Sequence, residues 1–169
     1  MKFISQKISD VFLIIPDLHQ DDRGVFRRSY CQDKFSKNGI DFKVKQGNIS
    51  ENLHKHTLRG FHYQSPPSNE SKIITCVTGA LYNVVLDIRK KSKTYKQWVA
   101  LEINSNKREN IYIPAGCANA FLTMEENTIV HYYMGDSFSP DTYSGIRYND
   151  PEFNVKWPCE PLVISEKDK

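Results

Sequence analysis

Short runs in which apolar and polar residues alternate with a period of two cover most of the chain, and they are rich in β-branched and aromatic residues. Such alternation is typical of β-strands that bury one face. The pattern predicts about ten strands, a number that favours a sandwich or barrel. Their bounds are 12–15, 24–31, 42–46, 58–64, 72–78, 80–88, 96–103, 110–113, 119–124 and 128–134.

Two local signals add to this pattern. Residues 32–38 have helical character, and Gly39 predicts the end of that helix. Thr78 and Gly79 lie between two predicted strands and indicate a tight hairpin turn. We therefore predict one all-β domain over residues 1–169, a barrel or jelly roll whose closure removes exposed strand edges. The polar tail SEKDK is expected to fray.

Composition and charge exclude several classes of protein. The hydrophobic fraction of 39% and the charged fraction of 25% are those of an ordinary globular domain. A net charge of +3, from 23 basic and 20 acidic residues, is too balanced for a protein that binds nucleic acid through phosphate contacts. No apolar run approaches the roughly 18 residues of a membrane helix, and the N-terminus does not resemble a secretory signal. The four cysteines form no CxxC pair, so we expect reduced thiols in the cytoplasm.

Residues 58–72, LRGFHYQSPPSNESK, contain the first candidate for chemistry. Strand alternation places Leu58, Gly60, His62 and Gln64 on one face. A single histidine in a strand is more often a hydrogen-bonded core residue than a functional one. Gly60 permits a bulge that would bring Arg59 to the same side as His62, although Arg59 on its own is equally consistent with a solvated surface charge.

A second candidate lies in residues 127–141. Val130, Tyr132 and Met134 share one face of the predicted strand, and His131 and Tyr133 share the other. A tyrosine that faces a barrel interior needs a partner for its hydroxyl, and that partner is usually structural.

His54 and His56 raise the question of a metal site. His-x-His resembles the first half of a metal-cupin motif, whose second half would place a histidine three residues after Gly116. Asn119 occupies that position, and an amide is a poor transition-metal ligand compared with imidazole. A metal-dependent cupin is therefore the less favoured interpretation.

Several blocks together resemble the dTDP-4-dehydrorhamnose 3,5-epimerase family over nearly the whole chain. The blocks are DRG (22–24), QxN (46–48), LRGFHYQ (58–64), SK (71–72), TGALYNVVLDIRKKSKTYKQW (78–98), IPAG (113–116) and GIRYNDP (145–151). The resemblance implies a cupin-like jelly-roll barrel, a homodimer, a nucleotide-diphosphate sugar as substrate, and chemistry that requires no cofactor or metal.

The resemblance also implies roles for particular residues. His62 matches the catalytic base, Asp168 the carboxylate that pairs with it, and Tyr132 the acid on the opposite face of the sugar. Lys72 matches the cation beside the ketone oxygen. The positions that match substrate contacts are Arg23, Phe26, Arg28, Gln46, Asn48, Arg59, Asn119, Phe138 and Tyr143, with Arg23 and Arg59 on the pyrophosphate and Phe138 stacked on the base.

The chain departs from the family at four positions. Glutamate is common where this chain has Arg28, aspartate where it has Gly47, histidine where it has Asn119, and glutamate where it has Tyr143. With Arg28, the residues Arg23 and Arg59 would give a more basic rim, which we interpret as a sign of weakened selectivity for thymidine, with a CDP-linked sugar as an alternative. Open alternatives are inversion of a single carbon, a CDP- or GDP-sugar substrate, and a non-catalytic sugar-binding cupin.

Overall fold

Two antiparallel sheets pack face to face and contain nearly all of the strands. A computed structural model describes residues 1–169. The elements are β1 (Lys2–Ser5), β2 (Phe12–Ile15), β3 (Leu18–Asp21), β4 (Gly24–Arg27), α1 (Gln32–Lys37), β5 (Gln46–Asn52), β6 (Thr57–Gln64), β7 (Lys72–Thr78), β8 (Ala80–Asp87), β9 (Trp98–Asn104), β10 (Asn110–Ile113), β11 (Cys117–Thr123), β12 (Thr128–Met134), β13 (Tyr143–Gly145), β14 (Val163–Ile164) and a 3-10 turn (Glu166–Asp168).

The order of the strands defines the two layers. The first sheet runs β1-β2-β10-β7-β12-β5, and the second runs β13-β6-β11-β8-β9, with β14 parallel to β6. β3 and β4 form a separate hairpin. The main core lies between the sheets and takes residues from both: Ile74, Cys76 and Val130 from the first, and Leu81, Val85 and Phe121 from the second. The predicted all-β fold is confirmed. No helix of the protein is long and apolar enough to cross a lipid bilayer.

The helix predicted at 32–38 is present as α1. Phe35 is fully buried, and its ring packs against those of Phe3, Phe42 and Tyr112. Gly39 follows the helix with φ +76, a left-handed conformation that favours glycine. The helix therefore covers the outer face of the first sheet.

The strand predicted at 42–46 is wrong, because the strand in this region is β5, which begins at Gln46. Phe42 is buried against α1 rather than in a strand, so its apolar character reflects packing of a loop. β5 was missed because the face it turns inward, with Gln46, Asn48 and Ser50, is polar and lines a pocket. The short strands β1, β3, β13 and β14 were also missed, and β4 ends at Arg27 rather than at residue 31.

The hairpin predicted at Thr78 and Gly79 is wrong, although a turn is present. Gly79 has φ +79. β7 pairs with β10 and β12, whereas β8 pairs with β9 and β11. The turn therefore carries the chain from one sheet to the other.

The predicted bulge in β6 is confirmed. In the register of β6 against β11, His62 lies opposite Asn119. Arg59 lies opposite Phe121, so two residues of β6 face one residue of β11 at the irregularity. This extra residue breaks the alternation of the strand and lets Arg59 and His62 line the same pocket.

Glycine is required at the bulge for two reasons. Gly60 has φ +106, and a β-carbon added there would overlap the carbonyl oxygen of Asn119 and the backbone of Ala120.

We predict that Gly60→Ala lowers the free energy of unfolding by at least about 2 kcal/mol, measured by urea denaturation. Gly24→Ala is the matched control, because Gly24 has φ +121 but nothing within 4 Å of its added β-carbon. Equal losses in the two variants would show that the close approach to β11 is unimportant.

Candidate active site

A cavity of about 500 Å³ lies between the two sheets. Both sheets contribute to its wall, which includes nine of the residues singled out from the sequence: Gln46, Asn48, Arg59, His62, Lys72, Asn119, Tyr132, Phe138 and Tyr143. Polar side chains from six different strands therefore converge on one pocket.

His62 is paired with the carboxylate expected from the sequence. Its Nε2 lies 2.8 Å from Oδ1 of Asp168. The other oxygen of Asp168 accepts a hydrogen bond from the backbone N–H of Gly60 at 3.4 Å. With Nε2 bonded to Asp168, Nδ1 of the imidazole is the nitrogen left for proton transfer.

The C-terminal tail does not fray at Asp168, which is 7% exposed and folds back to His62 as the resemblance implied. β14 pairs with β6, and the 3-10 turn that follows carries Asp168 to the back of His62. Two backbone N–H groups, of Leu162 and Val163, also donate to the carbonyl of His56. These contacts hold the end of the chain against the strand that bears the histidine.

The environment of His62 favours the neutral imidazole. Burial lowers its pKa below the ordinary value of 6.5, and the hydrogen bond and charge of Asp168 oppose this effect. The imidazole is therefore unprotonated at neutral pH and available as a base.

Lys72 is a buried cation beside His62. Its Nζ lies 3.5 Å from the carbonyl oxygen of His62 and 3.4 Å from Oε1 of Glu70. Burial lowers the pKa of Lys72, and Glu70 raises it. Glu70 also lines the pocket. It was not identified from the sequence, although its position two residues before the candidate Lys72 could have indicated it.

Tyr132 faces the pocket from β12 together with Val130 and Met134, the residues that the alternation placed on the same face. Burial raises the pKa of its hydroxyl, and the nearby Arg59 opposes this effect. His131 and Tyr133 share the other face, where their rings meet edge to face at 4.4 Å. Tyr132 therefore stays protonated at neutral pH.

Aromatic residues form the mouth of the pocket. The rings of Phe138 and Tyr143 are 5.5 Å apart and edge to face, and Phe138 is 50% exposed. Gln46 holds this segment, because its Oε1 accepts the N–H of Phe138 at 3.0 Å. Lys167, which was not identified from the sequence, lies over the ring of Tyr143 at 5.3 Å. Burial, followed by the charge of Asp168, raises the pKa of Tyr143 to about 12.

A family model described as dTDP-4-dehydrorhamnose 3,5-epimerase matches residues 5–169. The chain belongs to this family. It is therefore an isomerase and not a non-catalytic sugar-binding protein.

Named relatives and solved structures agree with this family. The dTDP-4-dehydrorhamnose 3,5-epimerase of Sinorhizobium fredii is 34% identical and aligns over 99% of this chain and 87% of its own length. The crystal structure of the Bacillus anthracis epimerase with TDP and PPi bound is 35% identical, covers 99% and 95% of the two chains, and has a TM-score of 0.95. A Legionella pneumophila epimerase in complex with dTDP-4-keto-L-rhamnose is 30% identical, covers 99% and 89%, and has a TM-score of 0.93. The cupin-like jelly roll is confirmed.

Three residues that the sequence analysis predicted as substrate contacts lie outside the pocket of their own chain: Arg23, Phe26 and Arg28. Arg23 and Phe26 are on the β3–β4 hairpin, and Arg28 directly follows it. Arg23 pairs with Asp21, and Phe26 is 66% exposed. The chain therefore leaves these side chains unused at its own site.

Arg28, Asn119 and Tyr143, three of the positions that the sequence analysis singled out as departures, do not lie together within one chain. Asn119 lies deep in the pocket, where its Nδ2 donates to Oδ1 of Asn83 at 2.9 Å and to the carbonyl of Val84 at 3.0 Å. Arg28 is exposed beside the distant hairpin, and only Tyr143 lies at the mouth. Because the donors of Asn119 are used within the protein, it cannot offer them to a nucleotide base.

His54 and His56 do not line the pocket of this epimerase. Their carbonyl and N–H groups bond to neighbouring strands: the carbonyl of His54 accepts from Thr57 and Thr123, and the N–H of His56 donates to the carbonyl of Thr123. The protein contains no group of three or more His, Cys, Asp or Glu side chains arranged to hold a metal ion.

Asp168→Asn is predicted to move the titration of His62 to lower pH. Both effects of Asp168 on His62 raise the pKa of the imidazole, so their removal leaves burial to lower it further. The imidazole then protonates only at a more acidic pH, which an NMR titration of its ring protons measures. Glu166→Gln, an exposed change in the same 3-10 turn, is the control and leaves this titration unchanged. A higher or unchanged pKa in Asp168→Asn would disprove the pairing in solution.

Proposed function

We propose that this epimerase inverts C3 and C5 of a dTDP-linked 4-keto-6-deoxyhexose by removing a proton next to the ketone and returning one from the other face. The observation that carries this proposal is the placement of two proton-transfer groups on opposite sheets. His62 projects into the pocket from β6 of the second sheet, and Tyr132 projects from β12 of the first. A sugar ring held between the sheets has one group on each face, which is what inversion requires.

His62 is proposed as the base. Removal of a proton from a carbon next to a ketone yields an enolate, and an imidazole that is neutral at pH 7 accepts that proton. Asp168 receives the other N–H of the ring, so it determines the tautomer and stabilises the imidazolium that forms.

Lys72 is proposed to stabilise the enolate, and Tyr132 to complete the inversion. A buried ammonium interacts strongly with the oxyanion that develops from the ketone, because little water competes for either charge. A tyrosine hydroxyl that remains protonated at neutral pH donates its proton to the face opposite His62. Every step uses side chains of the protein itself.

The nucleotide part of the substrate is proposed to lie at the mouth. Arg59 lines the pocket and donates through Nε to Oδ1 of Asn52 at 2.8 Å, which leaves its terminal nitrogens for a diphosphate. Phe138 and Tyr143 provide aromatic surface for a base. The relative with TDP bound supports dTDP. The amide of Asn119 donates to Asn83 and Val84, so it does not offer a donor that would favour cytosine over thymine.

A homodimer is proposed to complete the site. Arg23, Phe26 and Arg28 match substrate contacts but lie away from the pocket of their own chain, so a second copy is the source that brings them to it. β5 is the edge strand of the first sheet. Ile49 on this strand and Leu53 directly after it are exposed, which gives a second copy apolar surface to cover. Four free cysteines are consistent with the cytoplasm as the location.

His62→Asn is predicted to reduce proton exchange at both C3 and C5 by on the order of 100- to 10,000-fold. The measurement offers dTDP-, CDP- and GDP-linked 4-keto-6-deoxyhexoses in deuterated water and follows deuterium at each carbon by NMR. We expect the wild-type protein to favour the dTDP-sugar and to label both carbons. Labelling at one carbon only would identify a single-carbon epimerase, and near-normal exchange in a folded His62→Asn variant would refute the base.

Tyr132→Phe is predicted to separate proton removal from inversion. The change preserves the ring and removes only the hydroxyl, so His62 still removes a proton while return from the opposite face fails. We expect deuterium exchange to persist at one carbon at least, while the yield of inverted sugar falls at least tenfold. Tyr133→Phe, on the outer face of the same strand, is the control. Small and equal effects at both carbons would indicate that Tyr132 has a structural role only.

A further inference from the structure

A second buried carboxylate, that of Glu70, lies against the ammonium of Lys72. The atoms Oε1 and Nζ are 3.4 Å apart, and the two side chains are only 5% and 13% exposed. An ammonium with so little water around it needs a compensating anion, because burial of an unpaired charge is strongly unfavourable. Glu70 is the carboxylate within ion-pair distance of Lys72.

The segment that carries Glu70 is bonded to the end of β12 on both sides of this residue. Before Glu70, the N–H of Asn69 and the hydroxyl of Ser68 donate to Oδ2 of Asp136 at 3.1 and 2.9 Å. After it, the carbonyl of Ser71 accepts the N–H of Gly135 at 2.8 Å. These bonds place the carboxylate in the pocket rather than at a free loop surface.

We propose, on the basis of the epimerase function above, that Glu70 is a positioning residue for the reaction. Its carboxylate keeps the Lys72 ammonium charged and in place beside the ketone oxygen. The charged ammonium is the form of Lys72 that enolate stabilisation requires.

The electrostatics agree with this geometry. Burial lowers the pKa of Lys72, and Glu70 is the group that opposes this effect. Burial raises the pKa of Tyr132, Arg59 lowers it, and Glu70 raises it. Burial also raises the pKa of Glu70 itself, and the charge and hydrogen bond of Lys72 oppose that shift.

The other charged or titratable groups around this pair have different partners. Asp168 is bonded to His62 and Gly60, and Asp136 is bonded to the segment that carries Glu70. The remaining groups that face the pocket from β5, β6, β12, β13 and the 3-10 turn are Glu51, Arg59, His62, Tyr132, Tyr143 and Lys167. None of them is an anion in contact with Lys72, so none replaces Glu70.

The proposal is tested by the decline of kcat at high pH. In Glu70→Gln, Lys72 loses the anion that stabilises its ammonium, so it deprotonates at a lower pH. The decline of kcat at high pH therefore begins at a lower pH than in the wild type. We expect the upper apparent pKa of kcat to fall by about one unit or more, which is a tenfold change in the ratio of protonated to deprotonated lysine at a given pH. Glu70→Asp, which keeps the charge but withdraws it by one methylene, should give a smaller shift in the same direction. Asp141→Asn removes an exposed negative charge outside the pocket and is the control.

A second readout needs no substrate. The NMR titration of lysine ε-carbons, with the Lys72 signal assigned by its loss in Lys72→Arg, reports the ammonium directly. The proposal would be overturned if Glu70→Gln changed neither the upper apparent pKa of kcat nor the titration of Lys72. Equal shifts in Glu70→Asp and Glu70→Gln would also overturn it, because the aspartate keeps the negative charge and the glutamine does not. Absence of exchange in the wild-type protein would instead refute the epimerase function, while the titration would still decide the role of Glu70.

Discussion

Removal of charged side chains from water, in a cavity between two packed sheets, is the constraint on which the rest of the site depends. A buried charge that lacks a partner is unstable, and a base or cation that is fully hydrated is weak in catalysis. The structure satisfies both demands with a partner for each buried charge. The Asp168 carboxylate is bonded to His62 and to the Gly60 N–H, and the Lys72 ammonium is paired with Glu70.

The two partners reach the cavity by different routes, and both depend on backbone contacts far from the reacting atoms. Asp168 arrives through a parallel strand that pairs with β6 at the end of the chain. Glu70 arrives through a segment bonded to the end of β12. The bulge at Gly60 supports the first of these arrangements. It turns Arg59 and His62 to the same side, and its backbone N–H donates to Asp168. Catalytic geometry in this protein is therefore a property of strand pairing as much as of the side chains.

Features that depend on neighbours along the chain were available from the sequence. The period-two pattern predicted most strands, because one face of each packs on the core. It also placed Tyr132 and His131 on opposite faces of one strand, and Gly60 signalled the bulge beside His62. The ordered blocks then indicated the family, and the pairing of His62 with Asp168 followed from that resemblance.

Only the tertiary structure decided the features that depend on residues distant in sequence. β5 escaped detection because its inner face is polar, and the strands on either side of Gly79 were assigned to one hairpin although they lie in different sheets. The partnership of Glu70 with Lys72, and the distance of Arg28 from the pocket, depend on where loops and hairpins pack. The sequence by itself determined the type of fold and the groups that transfer protons, because local periodicity and ordered motifs record them. Which charges pair, and which side chains share a cavity, are decided by long-range packing that no local pattern records.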